Sequence, residues 1–357
     1  MTVATGLAIG KTASADLAAK AVTTAMLKAN IHAPSSVLLF LTSEFAADPQ
    51  SAIKAAAIAA SCTQIIGCSA TGIFTEEDWV IDSPAAAAMV FSDLNFAAEH
   101  TNNETLLTLT APNAINTTWL DSPNVKFGGV SGDAIGQGQF SVWQNGKGNT
   151  QGYCELALQN THAAIAASHG LQIISAPRRI TKSHGNDLFS LANLPALTTL
   201  QSACSKHNIA TTDLPLHKLA AVYANKASLI ERGDYHLASL VIDNSDNLSI
   251  TLSKTLKEGD WLSWAVRDVD AAQIDIVKTA SMLRRQLASE PAFAFIFSSI
   301  GRGPTFYNGT DQDLALIKTL FPALPLIGFY GNGEIAPING TNELLQNSAV
   351  LALFSKK

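Results

Sequence analysis

Three places in this chain set a polar side chain beside glycine, where the backbone is open to close approach. Arg302 stands between Gly301 and Gly303, at the end of the apolar run Phe293 to Phe297. Its planar fork suits a carboxylate held by two parallel hydrogen bonds. Glu334 closes the stretch Gly331-Asn332-Gly333-Glu334, where an acid could accept an ammonium group. Together the two would suit an amino acid or a related carboxylate. Tyr330 and Asn332 on that stretch, with Ser69 and Thr71 on Gly67-Cys68-Ser69-Ala70-Thr71-Gly72, add the sparse hydroxyl and amide groups that orient a small ligand. A second reading has Arg302 tying down its own loop by pairing with Glu334, and has Ser69 and Asn332 as turn formers. His169 is the histidine to single out, because it precedes Gly170 after the apolar run Ala163 to Ala167.

Signatures of catalysis are absent from the sequence: there is no H-E-x-x-H, no G-x-x-x-x-G-K-[ST] and no G-x-S-x-G. Gly331-Asn332-Gly333 opens no dinucleotide fingerprint, since Pro337 interrupts any helix after it. An enzyme would need the fold to bring Cys68 or Ser69 to His169 or Glu334. The expectation is a binding protein. Charged residues are 15% of the 357 and the net charge is −6, with Arg178-Arg179 the notable basic pair, so neither nucleic acid nor a membrane surface is an expected partner. The N-terminus lacks the pattern of a signal peptide, and no run approaches the length of a membrane span. Cys62, Cys68, Cys154 and Cys204 form no C-x-x-C and sit among apolar neighbours, as free thiols of a reducing cytoplasm would.

The elements that must position these residues repeat. Ile66-Gly67 to Ile73 and Ile327-Gly328 to Glu334 align without a gap, each after one apolar run and before another, Ala85 to Phe91 and Ala349 to Phe354. Residues 37 to 91 and 293 to 354 are therefore expected to superpose, Gly67 on Gly328 and Gly72 on Gly333, as two halves with a possible shared cleft. Asn124 to Asp133 is a looser third version, followed by an expected strand at Gln139 to Trp143 and a hairpin turn at Asn145-Gly146. Ser14, Asp48-Pro49, Thr310 or Asp311, and Asp268 or Asp270 read as helix starts. A polar stretch interrupted by Pro195 places a domain boundary near residue 200. The fold class is α/β, with two domains, 1–200 and 201–357, of mixed sheets flanked by helices and an internal pseudo-repeat.

Pro325-Leu326-Ile327-Gly328-Phe329-Tyr330-Gly331-Asn332-Gly333-Glu334-Ile335-Ala336-Pro337, then Leu345-Gln346-Asn347-Ser348, resembles the end of the C-terminal domain of the FIST (F-box and intracellular signal transduction) family. Phe297-Ser298-Ser299-Ile300-Gly301-Arg302-Gly303 resembles its strand-end motif, with Ser299 where many relatives place cysteine. Ile65 to Gly72 resembles the glycine motif of its N-terminal domain. His169-Gly170, Ala176-Pro177-Arg178-Arg179-Ile180-Thr181 and Leu194-Pro195-Ala196-Leu197 resemble its central segment. The resemblance implies a cytoplasmic sensory module that binds a small ligand and is read by a signalling partner. Because some members bind haem and sense nitric oxide, it also implies an alternative with His169 on a haem iron. An enzyme acting on a small metabolite is the third reading.

Overall fold

The computed structural model describes residues 1–132 and 141–357, and of Thr117 only the backbone. Asp133 and the first two residues of the strand expected at Gln139 to Trp143 lie outside the described residues. Packing separates two compact units, one of Met1–His169 with Gln273–Lys357 and one of Gly170–Ala272. Packing joins residues 161–168 to the chain's last strand, so the first unit is discontinuous in sequence.

The first unit opens with β1 (Val3–Ile9), α1 (Ala15–Ala29), β2 (Ser36–Thr42), α2 (Pro49–Ala60), β3 (Ile65–Ala70), β4 (Gly72–Thr75), β5 (Trp79–Ile81) and β6 (Ala85–Phe91). It continues through β7 (Phe96–Ala97), β8 (Thr105–Thr110), α3 (Thr117–Leu120), β9 (Val125–Val130), β10 (Val142–Gln144), β11 (Lys147–Gly148), β12 (Tyr153–Leu158) and β13 (Thr161–Ser168). The second unit holds β14 (Leu171–Ile173), β15 (Arg178–His184), β16 (Asp187–Leu191), β17 (Leu194–Pro195), α4 (Ala196–Lys206), β18 (Leu219–Ala224), α5 (Ala227–Arg232), β19 (His236–Asn244), β20 (Ser249–Leu252) and β21 (Trp261–Arg267). The first unit resumes within α6 (Val269–Gln286) and continues with β22 (Phe293–Ser299), α7 (Gln312–Leu320), β23 (Leu326–Gly331), β24 (Gly333–Ile338), β25 (Thr341–Leu345) and β26 (Ala349–Lys356). The helices start where capping chemistry puts them. Ser14 accepts from the Asp16 amide, Asp48 caps a helix with Pro49 in its first turn, and Asp311 accepts from the Leu314 amide.

Three six-stranded sheets in the first unit share one plan. Their strand orders are β1-β6-β2-β3-β10-β11, β7-β12-β8-β9-β24-β25 and β13-β26-β22-β23-β4-β5. In each sheet only the third and fourth strands are parallel. The registers coincide as well. Leu39 faces Gly67 and Ala88, Thr108 faces Gly128 and Glu155, and Ile296 faces Gly328 and Leu351. The two expected halves are thus two of three repeats, and the looser element at Asn124 is the third. Gly67, Gly128 and Gly328 occupy one equivalent position because a Cβ there would overlap the carbonyl oxygen of Leu39, Thr108 or Ile296 respectively. The repeats are also interlocked. Hairpin β4–β5 completes the third repeat's sheet, β10–β11 completes the first's, and β24–β25 completes the second's.

Inward-facing side chains of all three sheets make one core. Phe40 meets Phe329 edge-on at 5.0 Å between ring centroids, Phe297 meets Phe329 at 5.2 Å, and Phe127 meets Phe297 at 6.2 Å. Outside, α1 and α2 bury the back of the first sheet on Val37, Leu39, Ala88 and Val90. Ile276, Ala280 and Leu283 of α6, with Leu314 and Ile317 of α7, do the same for the third. The second sheet carries polar groups there instead. Buried Lys126 pairs with Glu155 and lies over the Trp119 ring, 4.7 Å from its centroid.

The second unit is an antiparallel barrel of β21, β15, β16, β20, β19 and β18, closed because β18 pairs with both β19 and β21. Its apolar core includes Ile180, Leu188, Ile250, Leu262 and Trp264, with Leu197, Leu200 and Cys204 from α4. Closure removes most of the open edge that an isolated sheet would present.

Candidate functional site

The three parallel strand pairs all point their C-terminal ends at one place, where each chain leaves its own sheet for the next. Thr71, Gly132 and Asn332 are equivalent positions just beyond the glycine strands. The Thr71 amide donates to the Tyr330 carbonyl at 3.2 Å, the Gly132 amide to Ser69 at 3.2 Å, and the Asn332 amide to Val130 at 3.1 Å. Those three bonds form a ring. Each carbonyl belongs to the sheet that the donating chain is about to join, so the ring is the local cause of the exchange. A Cβ on Gly132 would overlap the Thr71 hydroxyl, which keeps that crossing tight.

Among the described residues, the polar side chains at the ring are neutral. Asn332 is exposed and its Nδ2 donates to the Ser131 carbonyl at 3.2 Å, while Thr71 is half-buried. Ser69 is buried, with its hydroxyl 3.4 Å from the Ser141 carbonyl, and the Ser131 hydroxyl donates to that of Ser141 at 3.0 Å. Ser69, Thr71, Asn332 and the Tyr330 backbone are therefore brought together. Ser131 and Ser141 join them. Sequence reasoning missed both, although Ser131 sits in the third glycine element.

Arg302 is placed elsewhere and does something else. It is 1% exposed, its Nε and Nη2 grip both oxygens of Asp313 at 2.8 and 3.1 Å, and Nη1 and Nη2 reach the carbonyl and hydroxyl of Ser168 at 2.8 and 2.9 Å. The fork expected to hold a ligand carboxylate holds the protein's own. Tyr307 adds a 2.7 Å bond to Asp313, so both flanks of the loop between β22 and α7 are tied to the start of α7. Burial lowers the charged form of Arg302, but Asp313 more than offsets it and the guanidinium is held firmly protonated. Burial pushes the Tyr307 hydroxyl above its usual range, with Asp313 adding to the rise and Arg302 opposing it. The signal for this arrangement was Asp311-Gln312-Asp313, a cap followed two residues later by a second acid.

Tyr330 is fully buried and donates its hydroxyl to Asp311, whose other oxygen caps α7 through the Leu314 amide at 2.9 Å. Burial, reinforced by the neighbouring Asp313 charge, raises the Asp311 carboxyl to about 6, and burial beside Asp311 raises the Tyr330 phenol. Glu334 is fully buried on the core side of β24 and accepts from the Ser348 amide at 3.2 Å. It is buried on the same strand as Ala336 and Ile338, which face the core.

His169 is 7% exposed, its Nδ1 is 3.0 Å from the Ser348 hydroxyl, and its amide donates to Asp275 at 2.8 Å. A haem ligand must offer an open imidazole edge to a slot the width of a porphyrin. The Nδ1 bond to Ser348 leaves Nε2 of a largely buried ring as the nitrogen that would face an iron. Of the expected nucleophiles, Ser69 is buried beside the Ser141 carbonyl. Cys68 is in the core, where burial and then the nearby Cys154 push its thiol far up, and burial takes Cys154 to about 12. All four cysteines are free thiols. Among the described residues no group of three or more His, Cys, Asp or Glu could hold a metal ion, and no helix is long and apolar enough to cross a membrane.

The FIST N domain model matches residues 35–193, and the FIST C domain model matches residues 196–337. An uncharacterized protein of Mycobacterium tuberculosis is 25% identical over 232 residues, which is 64% of this chain and 60% of that protein. An uncharacterized protein of Mycobacterium bovis is 26% identical over 229 residues, 64% of this chain and 59% of that protein. The similarity thus spans less than two thirds of these relatives. With both domain models covering most of its length, end to end and in order, the chain belongs to the FIST family, whose domains are associated with signal transduction and the sensing of small ligands.

Proposed function

We propose that the chain is a cytoplasmic sensory module that binds a small polar ligand, an amino acid or related carboxylate, at the ring of strand ends, and that a signalling protein reads its occupancy. The observation that carries this reading is the convergence of three parallel strand pairs on Thr71, Gly132 and Asn332. In α/β sheets ligands settle beyond the C-terminal ends of strands, where the chain turns away and leaves a crevice. Hydroxyls of Thr71 and Ser69 and the Asn332 amide would orient the ligand there. Tyr330 offers a route outward. Its carbonyl is part of the ring and its hydroxyl holds Asp311, so a ligand that displaces Thr71 acts directly on the cap of α7. Differential affinity for two settings of that cap would shift their populations.

Calorimetric titration with a panel of amino acids and short carboxylates tests the reading. At least one should bind, and Asn332→Ala and Thr71→Val should each weaken it about tenfold, the loss expected of one or two hydrogen bonds, with unfolding midpoints unchanged. Binding that is indifferent to both substitutions, or no binding across the panel, removes this site from consideration.

A further inference from the structure

At the opposite end of the first unit's strands, a cavity of about 690 Å³ opens among the start of β8, the turn between β12 and β13, and the end of β26. The repeat register explains why it is hollow. One repeat earlier, the same seam is solid. There the link from β6 to β7 runs through residues 92–95, and Leu94, 1% exposed, plugs the gap, its carbonyl accepting from the hydroxyls of Ser35 and Ser36 at 2.8 and 2.6 Å. Phe96 packs edge-on against Phe91 beside it, with ring centroids 5.7 Å apart. Between the second and third repeats the link is only Gln159-Asn160, turned tightly by Asn160 in the left-handed region at φ 60°, so Leu94 has no counterpart. Phe96, which pairs with Leu158, corresponds to Ala163, which pairs with Phe354. A leucine and a phenyl ring are therefore missing from one seam. The groups that would greet a replacement remain, because Thr105 stands at the position of Ser36 and Glu104 at that of Ser35, and both line the cavity.

We propose that this cavity is a second small-molecule site, separate from the ring of strand ends, and that it takes an aromatic amine. The aromatic body occupies the volume that Leu94 and Phe96 fill in the sister seam, over Leu158, and its ammonium pairs with Glu104. The volume lies within the range of small-molecule pockets, roughly 300–1,000 Å³. The choice of a cation rests on which charge is fixed. Glu104 is half-buried and its carboxylate is held by the amide and hydroxyl of Thr101 at 3.3 and 3.1 Å. His162 and Lys357, which also border the cavity, are exposed. A fixed, partly desolvated charge discriminates between ligands more strongly than solvated side chains do.

Titration of the full chain with 2-phenylethylamine, beside 3-phenylpropionate and 2-phenylethanol, tests the assignment by calorimetry. The amine should bind at one site and more tightly than either comparison compound. Ala163→Phe rebuilds the plug of the sister seam and should abolish binding without lowering the melting temperature. Glu104→Gln changes almost no volume and should weaken the amine at least tenfold while leaving the alcohol unaffected, an independent reading should the larger substitution disturb folding. Amine binding that survives both substitutions, tighter binding of the carboxylate, or no amine binding to the unaltered chain overturns the proposal.

Discussion

At the scale of single residues, Arg302 shows how a side chain's chemistry can be read from sequence while its partner cannot. The flanking glycines and the strand end announced a paired donor awaiting a carboxylate, and a carboxylate is what it holds, except that Asp313 supplies it. Arg302→Ala would leave Asp313 buried without its cation and should cost about 3–5 kcal/mol of stability. Arg302→Lys should cost less, since a point charge keeps the attraction but loses the fork. Chemical denaturation measures both, and equal stability of Lys and Arg forms would mean that the fork contributes nothing. Asp311 gives a prediction in pH. Its carboxyl is raised in the folded state from the ordinary 3.8 to about 6, so the folded protein holds this proton more tightly than the unfolded chain does. Its contribution to stability is therefore greatest below pH 4 and is lost as the pH climbs to about 6. Asp311→Asn keeps a capping oxygen and cannot ionise. Unfolding midpoints measured at several pH values should show the variant lacking that decline and gaining roughly 2–3 kcal/mol on the parent above pH 6. A parallel decline in both proteins would place the titration elsewhere.

At the scale of elements, much of the structure was legible because its causes are local. Ser14, Asp48-Pro49 and Asp311 cap the helices they announced, and Asn145-Gly146 makes its hairpin turn with both residues at positive φ. The glycine elements were legible for the same reason, since strand-interior glycine signals close approach. Invisible was where each hairpin goes after its glycine strand. Gly72 and Gly333 look like continuations of their own units, and nothing in their neighbours says that β4 will pair with β23 or β24 with β9. The pairing of Tyr330 with Asp311, and the gathering of Ser131 and Ser141 beside Ser69, depend on those long-range partners and stayed hidden with them. The equivalence of the three glycines makes its own prediction. Alanine at Gly67, Gly128 or Gly328 forces the same overlap with a neighbouring strand's carbonyl. Each substitution should destabilise the first unit by more than about 3 kcal/mol, the range of overpacking and backbone strain combined. A mild effect at one position would mean that its strand can shift where the other two cannot.

At the scale of the whole molecule, the repeat in the sequence suggested two halves, and the structure has three repeats in one unit, with the barrel inserted in the chain between β13 and β22. The second repeat in chain order was blurred because its outer face carries Thr108, Glu155 and Lys126, which break the continuous apolar runs by which its sister strands read as buried. The exchanged hairpins also bear on the birth of the protein. On the ribosome, β4 and β5 emerge early, yet the strand that accepts them, β23, is synthesised only after the whole barrel, and β24 must then reach back to β9. The barrel, whose pairings all lie within its own span, can close while translation continues. The three-repeat unit must wait. Until β26 arrives, its sheets carry open edges of the kind that invite misassociation. Slow, largely post-translational folding is expected of so non-local a set of pairings, with the early hairpin sheltered by a chaperone or by its own polar turn, Glu76-Glu77-Asp78.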